Sequence, residues 1–195
     1  MLQIGITGGI GSGKSTVARI ISQMGYPIFD SDKEAKKIMI SDPQVIKQIK
    51  GVFGERAYND KQLNRSFIAQ KIFNDSNLKI AINNIVHPAV REHFKTWCKN
   101  QTTSLVFNES AIMFETGAYT QFDYTILIRA QLDIRIQRVI ARDNLTEDEV
   151  LKRIQSQWTD IEKSKLASFI IDNNSDSDLQ AQIEQVIHKL LDLTN

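Results

Sequence analysis

Eight residues near the start of the chain constrain its fold more than any others. Gly8-Gly9-Ile10-Gly11-Ser12-Gly13-Lys14-Ser15 fits the pattern G-x-x-x-x-G-K-[ST], follows the strand-length apolar run Leu2–Ile6, and leads into a helical pattern over Lys14–Met24. Glycines let such a loop curl until successive backbone N–H groups point inward. The result is a concave anion nest at the positive end of the helix dipole. Lys14 then reaches the β- and γ-phosphates of a nucleotide, and the Ser15 hydroxyl suits Mg²⁺. A glycine-rich turn capped by Ser12 or Ser15 is the plainer alternative. Strand, loop and helix in that order favour the phosphate-binding loop.

A chain of 195 residues holds one large domain or a core with small inserts. Further short apolar runs, Pro27–Phe29, Leu105–Phe107, Tyr124–Ile128 and Phe169–Ile171, alternate with helical patterns. Near-continuous apolar strands of this kind belong to a parallel sheet covered on both faces, so the expected class is α/β with five parallel strands. The helical patterns are Lys14–Met24, Arg65–Phe73, Asn77–Val86, Ala89–Trp97, Leu132–Arg142, Glu147–Gln157 and Asp178–Leu191. About 75 residues separate the second and third strands and about 40 the fourth and fifth, more than a crossover helix needs. Two helical inserts are implied, and inserts leaving the carboxyl ends of the strands would flank a site as substrate cover and lid.

The 24 basic and 23 acidic side chains nearly cancel. No global basic field exists to hold a polyanion by counterion release, so nucleic acid is not an expected partner. The single cysteine, Cys98, has no partner for an intrachain disulfide. The N-terminus lacks the basic stretch and apolar run of a signal peptide, and no apolar segment reaches about 18 residues. The expectation is a cytoplasmic protein with no membrane partner.

A phosphate-binding loop does not by itself separate a switch, a motor and a kinase. A guanine-reading Asn-Lys-x-Asp is missing: the run Tyr124–Ile128 ends in Arg129-Ala130-Gln131. Asp30-Ser31-Asp32 places two carboxylates just past the second strand, where one can accept the proton of a phosphoryl acceptor. Asp30 or Ser31 can equally serve as the N-cap of a helix over Asp32–Ile40. Arg135, Arg138 and Arg142 fall at i, i+3 and i+7, along one helix face. That face suits a triphosphate, or is a solvated face paired with Asp133, Asp143 or Glu147. Lys33, Lys36 and Lys37 read as solvated. His87-Pro88 reads as a turn between two helices, and Trp97, Trp158 and the phenylalanines as core. Cys98 reads as a buried small residue.

With these motifs the chain closely resembles the dephospho-coenzyme A kinases along its full length. The resemblance rests on Ile4 through Ala18, on Asp30-Ser31-Asp32 where the family usually has Asp-Ala-Asp, and on Leu63-Asn64-Arg65 and His87-Pro88. It rests also on Arg138 with Arg142-Asp143, on Gln157, and on Asp172-Asn173-Asn174. It implies a nucleotide-binding core over 1–32, 101–129 and 166–195, a helical coenzyme-binding insert over 33–100 and a lid over 130–165. The implied reaction uses ATP and Mg²⁺ to phosphorylate the ribose 3′-hydroxyl of dephospho-coenzyme A. The resemblance implies phosphate binding by Gly9, Ile10, Gly11, Ser12, Gly13, Lys14, Ser15 and Thr16, with Asn173 and Asn174 near the adenine. Thr7, Asp32, Arg65, His87 and Glu109 would face the acceptor. Asp32, Lys14, Arg138 and Arg142 would carry catalysis, Asp32 as base. Ser15 would hold Mg²⁺, with Asp32 and Glu109 as candidates through water. In one place the chain departs from the family: the usual Asp-x-Pro-Leu-Leu-x-Glu reads Glu109-Ser110-Ala111-Ile112-Met113-Phe114-Glu115. Glu109 is longer by a methylene, and without the proline the loop is less rigid. Another small-metabolite or nucleoside kinase is the neighbouring alternative. An ATP-dependent switch is the alternative from a different class.

Overall fold

The computed structural model describes residues 1–175 and 178–194. In chain order its elements are β1 (Leu2–Gly8), α1 (Lys14–Gln23), β2 (Ile28–Asp30), α2 (Ser31–Ser41), α3 (Pro43–Phe53), a 3₁₀ turn (Glu55–Ala57), β3 (Tyr58–Asn59), β4 (Gln62–Leu63), α4 (Arg65–Asn74) and α5 (Ser76–Lys99). They continue with β5 (Leu105–Glu109), a second 3₁₀ turn (Ala118–Gln121), β6 (Tyr124–Arg129), α6 (Leu132–Asp143), α7 (Glu147–Gln155), α8 (Asp160–Ser164), β7 (Phe169–Asp172) and α9 (Leu179–Asp192). The chain divides into two compact units, one formed by Met1–Asp30 with Gln101–Asn195, the other by Ser31–Asn100.

The first unit is built on a five-stranded parallel sheet in the order β2-β5-β1-β6-β7. Ile4, Ile6, Leu105, Phe107, Ile126, Ile128 and Ile171 pack with Val17 and Ile21 of α1 and with Ile183, Ile187 and Leu190 of α9. Each such side chain contributes roughly 1.5–3 kcal/mol on burial. The other face is closed as well: Met113 and Phe122 lie where a side chain at Gly5 would be. Burial on both sides is why these strands are apolar without alternation. In register across the sheet stand Asp30, Glu109, Ile6, Ile126 and Phe169. Asp30 and Glu109 are therefore neighbours at the carboxyl ends of β2 and β5, on the edge where ligands of open parallel sheets bind. Helices α6, α7 and α8 belong to this same unit. Among the described residues no helix is long and apolar enough to cross a membrane.

The second unit packs α2, α3 and α4 against α5. Asp42 caps α3 by accepting the Gln44 and Val45 N–H groups, with Pro43 following as the first helical residue. Asp60 and Lys61, both at positive φ, form the two-residue turn of the β3–β4 hairpin. The Tyr58 hydroxyl donates to the Met39 carbonyl at 2.7 Å.

Three expectations from the sequence need correction. The helices expected over Asn77–Val86 and Ala89–Trp97 are one, with Pro88 inside α5. A helix-interior proline costs about 3 kcal/mol. Here Val86, Val90, Phe94 and Cys98 form one buried stripe at four-residue spacing that runs through the proline, and their burial outweighs that cost. Trp158 and Phe73, expected in the core, are exposed, Phe73 at 91%. Arg135 lies inside, at 7% exposure, and does not share a solvated face with Arg142.

Candidate active site

The site is built where β1 runs into α1. Gly13 stands at φ +90°, and α1 starts on it with no side-chain cap and no acidic residue in its first turn. Among the other helices with an assigned start, α3, α4, α5 and α9 are capped by Asp42, Asn64, Asp75 and Asp178, and α7 and α8 by the capping boxes of Thr146 and Thr159; α6, after Gln131, has no side-chain cap but carries the acidic Asp133 in its first turn, which α1 lacks. An anion is the natural acceptor for the first-turn N–H groups that no side chain takes at α1. Across this opening lies Lys14, whose ammonium donates to the carbonyls of Gly8 at 2.9 Å and Gly9 at 3.4 Å. Ser15 follows, exposed, in the first turn. Thr7 and Ser12 are fully buried, and among the described residues neither hydroxyl has a hydrogen-bond partner.

Behind the loop stands Asn173. Its side-chain amide donates to the Ser12 carbonyl at 2.9 Å and its backbone N–H to the Arg129 carbonyl at 2.7 Å. The fork of Arg129 on the Asp172 carboxylate, 2.9 Å in both arms, locks the ends of β6 and β7 in register and so delivers Asn173 to the loop. A Cβ on Gly13 would strike the Asn173 amide, so both conformation and space require glycine there. Asn174 accepts the Gln131 N–H at 2.9 Å. The two asparagines, expected near the adenine, thus hold backbone groups of the loop and of the start of α6.

On its other side the loop meets α6 and the segment before α8. Gln157 Oε1 accepts the Ile10 N–H at 2.8 Å, and Arg135 Nε donates to the Ile10 carbonyl at 2.9 Å. Ile10, expected among the phosphate-binding residues, has both backbone groups committed to side chains. Arg135 Nη1 pairs with Asp160 at 3.3 Å. One turn further along α6, Arg138 Nη1 is buried without a hydrogen-bond partner among the described residues, 3.7 Å from where a Gly13 Cβ would lie. Arg142 is exposed and clasps the neighbouring Asp143 carboxylate at 2.7 and 2.9 Å, which holds that carboxyl below the usual range. Glu109 ends β5, half-buried.

Asp32, Arg65 and His87 lie in the second unit. Asp32 is exposed in the first turn of α2, and Arg65 is exposed as the first residue of α4. His87 is half-buried in α5, where burial first and the nearby Arg91 charge second lower its pKa from 6.5. Sequence reasoning missed Asp160, the partner of Arg135. It also missed Lys163, which is fully buried against Glu115. Asp160 and Lys163 sit in a charged stretch beyond the helical pattern Glu147–Gln157, where no motif marks them.

Residues 2–178 match the family described as CoaE: Dephospho-CoA kinase. A dephospho-CoA kinase of Bacteroides fragilis is 37% identical over 187 residues, covering 95% of this chain and 91% of that protein. A Thermus thermophilus crystal structure superposes with a TM-score of 0.84 at 32% identity, covering 100% of this chain and 98% of the other. The dephospho-CoA kinase of Campylobacter jejuni superposes with a TM-score of 0.70 at 27% identity, covering 99% and 98%. A loop built to hold phosphates, on a parallel sheet shared with these proteins along nearly the whole chain, has one reading: the chain belongs to the dephospho-CoA kinase family, phosphotransferases that act on an alcohol group.

Proposed function

We propose that this chain transfers the γ-phosphoryl group of ATP to the ribose 3′-hydroxyl of dephospho-coenzyme A, giving coenzyme A and ADP. The observation that carries the reading is the uncapped start of α1 at Gly13, with Lys14 lying across the loop and the buried Nη1 of Arg138 beside it. A triphosphate would displace Lys14 from the Gly8 carbonyl. Backbone N–H groups between Gly11 and Thr16, with Lys14 and Arg138, would then balance its charge. Arg142 joins them on release from Asp143.

The donors at the site suit Mg²⁺. Ser15 offers an exposed hydroxyl, and Glu109 a strand-end carboxylate able to act through water, a set that fits a hard cation that keeps most of its waters. When bound, the ion would neutralise charge on the β- and γ-phosphates. Asp32, two residues past β2, is the proposed base. It would orient the acceptor hydroxyl and take its proton. Arg65 and His87 are proposed to bind the acceptor, which assigns the Ser31–Asn100 unit to the coenzyme and the segment 130–165 to a lid. Membership of a metabolic kinase family supports a place in the cytoplasm.

ADP release measured with dephospho-coenzyme A, with adenosine and with no acceptor tests the reading. Turnover with the coenzyme precursor alone is expected. Equal turnover with adenosine points to a nucleoside kinase, and ADP release that needs no acceptor to an ATP-driven switch.

A further inference from the structure

We propose that Arg135 is a positioning residue of the phosphate-binding loop, not a ligand of the phosphates. Its guanidinium is buried, and two of its nitrogens are already engaged, Nε by the Ile10 carbonyl at 2.9 Å and Nη1 by Asp160 at 3.3 Å. The loop is shaped around it: a Cβ on Gly9 would fall on the guanidinium. Gln157, three residues before Asp160, takes the Ile10 N–H. Both peptide groups flanking Ile10 are therefore held by side chains from residues 131–163. A loop fixed in its binding geometry avoids the ordering cost of binding.

The same anchor sets how close α6 approaches the loop. Arg138 lies three residues on, one turn along the same helix face, and this brings its Nη1, buried with no hydrogen-bond partner among the described residues, beside Gly13. Asp160 makes the arrangement tolerable. A buried guanidinium needs a nearby counter-charge, and removing that charge should release Arg135 and slacken the loop.

The inference rests on nucleotide binding at this loop, and it is tested in the full chain with Asp160→Asn, Arg135→Lys, Arg135→Met and the double variant Arg135→Met/Asp160→Asn. The readouts are the Kd of ATP by calorimetry without acceptor, kcat, the two KM values and Tm. Asp160→Asn removes no positive charge, yet it is expected to weaken ATP binding about tenfold and lower kcat, with the dephospho-coenzyme A KM within about twofold. Arg135→Lys keeps the charge but cannot bridge Ile10 and Asp160 together, so it should resemble Arg135→Met. The double variant should be no worse than Arg135→Met, because the two residues act as one unit. If Asp160→Asn binds ATP as well as wild type or better, the released arginine is a phosphate ligand and the proposal is overturned. A fall in Tm with Kd, KM and kcat unchanged overturns it too, since the contact is then merely structural. Should Arg135→Met fail to fold, the near-isosteric Asp160→Asn decides alone. Lack of turnover in the wild-type chain would count against the proposed reaction, while the ATP-binding arm still reads the clamp.

Discussion

The Lys163 ammonium, with no surface open to solvent, lies 2.8 Å from Glu115 Oε1 and so ties α8 to the loop that follows β5. The same oxygen accepts the Trp158 N–H at 3.2 Å. Removing one partner of a buried pair leaves an uncompensated charge, whereas replacing both with apolar groups removes the desolvation cost as well. Lys163→Met or Glu115→Gln alone should lower unfolding stability by about 3–5 kcal/mol. Lys163→Met with Glu115→Leu should cost clearly less than the sum. Urea denaturation of the three variants measures this. Additive losses would show that the two charges do not depend on each other.

Lys14→Ala addresses the loop directly. Its ammonium contacts include the Gly8 and Gly9 carbonyls, and the side chain lies on a part-exposed surface, so stability should change by no more than about 1 kcal/mol. ADP release should fall to background and ATP binding should weaken. Near-normal turnover would remove the loop from the chemistry.

Gly13→Ala tests the support behind the loop. An alanine at φ +90° is strained by about 1–3 kcal/mol, and its Cβ would push the Asn173 amide off the Ser12 carbonyl. Loss of both stability and ATP affinity is expected. Asn173→Ala should show the affinity loss without the backbone strain, and an unchanged ATP Kd in both variants would detach Asn173 from the loop's function.

Much of this was legible in the sequence because it is local. The loop pattern, the apolar strand runs and the arginine spacing are encoded within a few residues of one another, and each predicts an element or a face. Periodicity does not say which face turns inward. Arg135 and Arg142 share a spacing, yet one is buried on Ile10 and the other exposed on Asp143. Nor could spacing reveal Lys163 with Glu115 or Gln157 with Ile10, because the partners come from distant parts of the chain. Pro88 misled for a related reason: the proline is a local signal, while the buried stripe that keeps α5 continuous is supplied by packing against α2, α3 and α4.

His87 gives a pH dependence with a definite sign. Burial lowers its pKa in the folded chain below 6.5, so the folded state binds the proton less readily than the unfolded one. Its contribution to stability is fully present above about pH 6.5 and is lost as pH falls through the folded value. His87→Gln should therefore flatten the stability curve below about pH 6.5 relative to wild type. Parallel curves, measured by thermal unfolding across that range, would show that His87 is not sufficiently desolvated.

Asp32 carries the most specific chemical claim. The acceptor is a weakly acidic hydroxyl, and Asp32 stands exposed in the first turn of α2, two residues past β2. Asp30, by contrast, is fixed in the sheet in register with Glu109 and is assigned to support of that edge. General-base assistance is worth about 10²–10⁴-fold, or roughly 3–5 kcal/mol of barrier. Asp32→Asn preserves shape and hydrogen bonding but cannot take the proton. Its kcat should fall by about that factor while the Kd of dephospho-coenzyme A, read by calorimetry, changes little. Asp30→Asn should do less. If Asp32→Asn keeps kcat within about threefold, or if Asp30→Asn is the worse lesion, the base lies elsewhere even though the phosphoryl transfer itself stands.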